Sequence, residues 1–181
     1  MPGRLLSLRS RYLSPLLAPL LVLVLLSCSP TFNWREVVPP GGRLKAMFPC
    51  KPSQERRQVT LVQRRVDMTM LACETGGAMF ALGTADLVDP AAVGPALQAL
   101  QQAAVANVAG QATATALPLR GVTPQPQAGA WQVAGRFPDG RTLQERLMVF
   151  ALGTRVYQVT VFAERLPAEA VEGFVGGLTV R

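Results

Sequence analysis

The sequence predicts an α+β domain in which an antiparallel sheet of about six to seven strands packs against one long and one short helix. Three observations carry this reading. Val66 to Cys73 alternates with a period of two, placing Val66, Met68, Met70 and Ala72 on one face and Asp67, Thr69, Leu71 and Cys73 on the other. Ala130 to Phe137, Thr142 to Ala151 and Arg155 to Ala163 follow one another across short turns, as the strands of a meander do. Between these two groups, Val93, Leu97, Leu100, Ala104 and Val108 recur at spacings of three and four, which winds a single apolar stripe onto a helix.

In chain order, Arg43 to Phe48 reads as a short strand stopped by Pro49, and Gln58 to Leu61 as a second. Gly76-Gly77 turns the chain after Cys73, so that Ala78 to Thr84 returns as a hairpin partner. Met68, Met70 and Met79 fit this region as adaptable core filling. Asp89 before Pro90 is a helix-opening pair, and Gly110 is a helix stop. The face of that helix opposite the stripe carries Gln98, Gln101, Gln102 and Asn107 without a charge, which fits either a plain polar face or a covered, partner-facing side. The segment Ala112 to Leu119 and a Pro- and Gln-containing loop through Gly129 precede the meander. Pro138-Asp139-Gly140 forms its first turn and Gly153-Thr154 its second. In the middle strand Leu143, Leu147 and Val149 share a face with Glu145 among them, while Arg146, Met148 and Phe150 share the other, so partial cover on both sides is expected. Pro167 opens the short helix, which turns Val171, Phe174 and Val175 inward and breaks at Gly176-Gly177 before a last segment, Leu178 to Val180.

Ahead of this domain, Arg4, Arg9 and Arg11 precede a fourteen-residue apolar stretch, Leu13 to Leu26, which closes on Leu25-Leu26-Ser27-Cys28. A basic start, a short apolar core and a small residue before a cysteine resemble the export signal of a bacterial lipoprotein. As a helix the stretch would span only about 21 Å, short of the ~30 Å hydrocarbon core, and Pro15 and Pro19 interrupt it. An ordinary cleaved signal peptide with an incidental Cys28 is the other reading. The lipoprotein resemblance implies cleavage before Cys28, a diacylglyceryl group on its thiol, a further acyl chain on its freed amine, and stable anchoring by several chains. Ser29, in place of an aspartate, implies sorting to the outer membrane on its periplasmic side. The chain would then divide into a signal peptide (1–27), a lipidated tether (28–42) kept irregular by Pro30, Pro39, Pro40, Gly41 and Gly42, and one domain (43–181). Trp34 docks on the domain or sits in the linker near the membrane, and the sequence leaves both open.

Of the 18 Lys and Arg residues, three lie in the leader, leaving 15 against 11 acids, so the mature charge is +4 in place of +7. That is an ordinary surface and no argument for nucleic acid. Lys51, Arg56, Arg57, Arg64 and Arg65 are the one basic cluster, expected around one end of the first strands as a possible contact for an acidic partner or as a solvated rim. Export places Cys50 and Cys73 in an oxidising compartment where a disulfide is expected, closing a loop of about 23 residues and contributing about 3 kcal/mol. Two buried free thiols, or a reactive thiol, are the alternatives. The chain has no histidine, which removes Ser-His-Asp and Cys-His catalysis and histidine-held metals together. Asp67, Glu74, Asp86, Asp89, Asp139, Glu145 and Glu164 remain as acid/base candidates, and spacing singles out none of them. No catalytic set, cofactor or metal site is expected.

Phe48-Pro49-Cys50-Lys51-Pro52, Tyr157-Gln158-Val159-Thr160-Val161 and Phe174 ahead of Leu178 are local cues which, with the order of elements, resemble the PsbP-like α/β sandwich over roughly residues 34 to 181. A cysteine follows Phe-Pro here where many relatives carry glycine. The resemblance implies a non-catalytic accessory or interaction module, tethered in an exported compartment, and carries over no functional residue. Two further readings stand beside it: a binder of a small apolar ligand in the cleft between sheet and long helix, and a carboxylate-dependent hydrolase. A pocket of several hundred cubic ångströms favours the first of these, and two cleft carboxylates within about 5 to 9 Å the second.

Overall fold

Gly76 and Gly77 take φ of +59° and +72°, the left-handed geometry of a two-residue hairpin turn, which a residue with a Cβ resists. They join β4 (Arg64–Thr75) to β5 (Ala78–Asp86) in the antiparallel register Thr75↔Ala78 to Met68↔Ala85. The computed structural model describes residues 31–181; the leader, Cys28 and Ser29 lie outside the described residues. The remaining strands are β1 (Arg35–Val37), β2 (Leu44–Phe48), β3 (Ser53–Leu61), β6 (Gln111–Thr115), β7 (Gly129–Arg136), β8 (Thr142–Leu152), β9 (Arg155–Ala163) and β10 (Thr179–Val180). Seven of the ten form an antiparallel sheet in the order β3-β4-β5-β9-β8-β7-β6, and the other three form a small sheet, β1-β2-β10. The α+β class and the meander β7-β8-β9 match the sequence reading. The second sheet was not legible, because its outer members are only three and two residues long.

The long helix opens as expected. The Asp89 carboxylate accepts a hydrogen bond from the Ala91 N–H at 3.0 Å, a 3₁₀ turn covers Pro90–Ala92, and α1 runs Val93–Asn107. Its buried residues include Val93, Leu97, Leu100 and Ala104 from the foreseen stripe. The stop differs in detail: Ala109, not Gly110, is left-handed at φ +44°. Gly110 is small for another reason, since a Cβ there would stand 2.7 Å from the Val133 side chain. The short helix α2 is Ala168–Gly176. No helix among the described residues is long and apolar enough to cross a membrane.

The large sheet is covered on both faces. On one, Leu97, Leu100 and Ala104 of α1 pack over Ala85, Leu147, Val149, Ala151 and Val156. On the other, Leu44, Ala46 and Phe48 of β2 and Phe174 of α2 pack over Phe80, Met148, Phe150 and Val161. Phe174 meets Phe48 and Phe80 edge-on, with centroids 4.9 and 5.4 Å apart, each contact contributing about 0.5–1.5 kcal/mol beyond the area buried. β8 lies between the two cores, and Leu147 to Leu152 is buried without a break, as the two apolar rows of its sequence require.

The tether needs correction. Residues 35–37 form β1, paired Arg35↔Phe48 to Val37↔Ala46 with β2, and Asn33 N–H donates to the Pro49 carbonyl at 2.7 Å. Ordered structure therefore extends well before residue 43. Pro39-Pro40-Gly41-Gly42 is the turn of a hairpin, with Gly41 and Gly42 at φ +98° and +67°; turn and linker use the same residue types, so composition alone could not separate them. Trp34 docks on the domain: a Cβ on Gly173 of α2 would lie 2.7 Å from its ring.

Candidate functional site

Alternation along β8 places Leu143, Glu145, Leu147 and Val149 toward α1, and alternation along β9 places Val156, Gln158, Thr160 and Phe162 beside them. One face of an otherwise apolar layer thus receives three polar side chains in a line. α1 covers the upper part of this face and ends at Asn107, short of its lower part. A cleft of about 280 Å³ remains beneath the end of the helix, walled by Met70, Ala81, Ala104, Val108, Leu143 and Phe162, with Glu145, Gln158, Thr160 and Asn107 in its lining.

Glu145 is 3% exposed. The Thr160 hydroxyl donates to its Oε1 at 3.3 Å, and Gln158 Nε2 donates to that hydroxyl at 3.4 Å. Both contacts are long for their types, so the carboxyl is weakly solvated by the protein. Burial pushes its pKa up to about 7, with the Thr160 hydroxyl pulling in the other direction. A buried acid with a single weak partner costs stability, and such groups concentrate where function requires them.

The remaining six acids have ordinary settings. Asp67 pairs with Arg56 at 2.7 Å, and Asp89 with Arg64 at 3.3 Å. Asp86 accepts from the Thr154 hydroxyl and from Arg155, each at 2.9 Å, and these partners, the hydroxyl first, hold its pKa below the usual value. Asp139 and Glu164 both pair with Arg141, and Glu74 is exposed. Glu145 is therefore the one carboxylate in the cleft lining, and the two-carboxylate arrangement of the hydrolase reading does not form there. The apolar row Leu143, Leu147, Val149 was the signal for it, since an acid at the same parity must share their burial.

The basic cluster is dispersed. Arg64 and Arg65 follow the turn between β3 and β4, Arg56 and Arg57 lie midway along β3 on opposite faces, and Lys51 precedes its far end. Ten residues of extended chain separate Lys51 from Leu61, about 33 Å, which corrects the expectation of one shared end. Arg57 pairs with Glu55, so three of the five already face a carboxylate. Arg56, Arg64 and Arg65 do line a groove of about 620 Å³ with Asp67, Asp86 and Arg155, but its charges are largely matched. Cys50 and Cys73 stand in bonded geometry with Cα atoms 6.0 Å apart, tying the end of β2 to β4 and so the small sheet to the large one.

No family model and no curated protein matches the chain. A crystal structure of a protein from Bacteroides thetaiotaomicron VPI-5482 is similar at 10% identity and a TM-score of 0.47, over 81% of this chain and 48% of that one. The chain spans about half the length of that protein.

Proposed function

We propose that the chain is exported, cleaved before Cys28, held by acyl chains at the periplasmic side of the envelope, and that its domain holds a small apolar molecule in the cleft beneath α1. The leader supports the first part: Arg4, Arg9, Arg11, the Leu13 to Leu26 core and Ser27-Cys28 stand in the order an acylated exported protein requires. The cleft carries the second. Its walls are methionine, phenylalanine and aliphatic side chains with a few convergent polar groups, the usual make-up of a small-ligand site. Among the described residues the exposed large apolar side chains are Trp34, Val38, Val62 and Val88. They are scattered through the chain, which favours a pocket over a broad docking patch.

The uncharged outer face of α1 favours a second reading, an accessory module that docks an envelope protein there. Its fifteen residues include no Asp, Glu, Lys or Arg, and Gln98, Gln102, Ala103, Ala106 and Asn107 are exposed. Mass spectrometry of the chain drawn from its native envelope tests both readings. A triacylated Cys28 N-terminus and a co-purifying small apolar molecule are expected. A retained Met1 would overturn the anchoring, an empty cleft would overturn ligand carriage, and crosslinks from Gln98 or Gln102 to one envelope protein would favour the accessory module.

A further inference from the structure

We propose that the ligand of this cleft is an apolar amine, whose ammonium group meets the Glu145 carboxylate while its hydrocarbon body lies along Met70, Ala81 and Phe162. The inference rests on the cleft reading and adds the chemical class. Glu145 is buried at the cleft with one hydroxyl contact at 3.3 Å, and its other oxygen, which meets no donor among the described residues, is open to the cleft and not sealed among apolar atoms. Nor does any ionisable side chain of the described residues face it: β4 offers Met70, β5 Ala81, β7 Val133, β9 Thr160 and Phe162, and α1 Ala104. A carboxylate so placed lacks a counter-charge, and a protonated amine supplies both the charge and donors for the open oxygen. An alcohol would supply a donor without the charge, and a fatty acid would add a second negative group.

The pairing couples to protons. With burial holding the acid protonated up to about pH 7, the amine must displace that proton, so its binding tightens as pH rises through 7 and releases a proton. Phe162 also lines a second opening with Met79, Phe137, Glu74, Arg141, Glu164 and Arg165, whose charged lining bounds the apolar floor on that side.

The test is titration calorimetry of hexylamine, 1-hexanol and hexanoate against the full-length chain held in lipid nanodiscs, with protein-free nanodiscs subtracting partition into lipid. Hexylamine is expected to bind at least about tenfold tighter at pH 8 than at pH 5.5, and to release about half a proton per molecule bound at pH 7. Hexanol should bind more weakly without pH dependence, and hexanoate should not bind. Glu145→Gln should lose the preference for the amine and keep its affinity for hexanol. Thr160→Val removes the one hydroxyl contact, and should keep amine binding while moving its pH dependence upward. Equal, pH-independent binding of hexylamine and hexanol would overturn the amine and leave the cleft reading standing. Binding of none of the three would overturn both.

Discussion

Glu145 shows how a single buried acid shapes this domain. The folded carboxyl keeps its proton to about pH 7, whereas a free glutamate releases it near 4.5. The contribution of this one group to stability should therefore be complete below about pH 4.5, fall as pH rises through the interval, and level off above about 7, a loss of about 3 kcal/mol. Glu145→Gln carries no such proton, so urea unfolding should find the variant flat across this range and the more stable of the two at pH 8. Ala109 is a second strained position. Its left-handed φ of +44° disfavours a residue with a Cβ, and Ala109→Gly is expected to raise stability by about 0.5–1 kcal/mol in thermal melts, less the entropy added to the unfolded chain. Glu145 was half-legible: its place in an apolar row could be read from alternation. Its isolation could not, because the neighbours that deny it a counter-charge come from β4, β5, β9 and α1.

At the scale of elements, periodic segments and the glycine-marked turns within the large sheet were read accurately, and the turn that lacks such a signal was not. The α1 stripe and the β7-β8-β9 meander announce themselves through side-chain spacing, because one buried face selects apolar residues at each repeat. The turn between β3 and β4 does not. Val62 and Gln63 both take positive φ, 50° and 60°, the geometry of a type I′ hairpin, without the Asn or Gly that signals one. β3 also begins at Ser53, well before Gln58, because its first residues are polar and exposed and show no apolar alternation. Replacing Val62-Gln63 by Asn-Gly should stabilise the hairpin by about 1–2 kcal/mol, measured as a higher denaturation midpoint at an unchanged slope. The charges on β3, an edge strand of the large sheet, have a plain role besides any partner: Glu55, Arg56 and Arg57 discourage another strand from pairing with its open side.

For the whole molecule, the order of layers explains why the disulfide sits where it does. A three-stranded sheet and α2 close one face of the large sheet, and the Cys50 to Cys73 link joins the two sheets at the point where β2 leaves the small one. Cys50→Ser with Cys73→Ser should lower stability by about 3 kcal/mol on the chain-entropy account. If the small sheet separates first, hydrogen exchange in β2 should rise more than in β8, which is buried between both cores. The class, the long helix, the meander and the doubly buried β8 could be read from the chain alone, because each is written in a local period of apolar residues. That the supposed tether contributes a strand, that the basic residues spread along β3, and that Glu145 stands without a counter-charge under the end of α1 emerge only once the chain is folded. Those properties depend on which distant segments meet, and no local period records that.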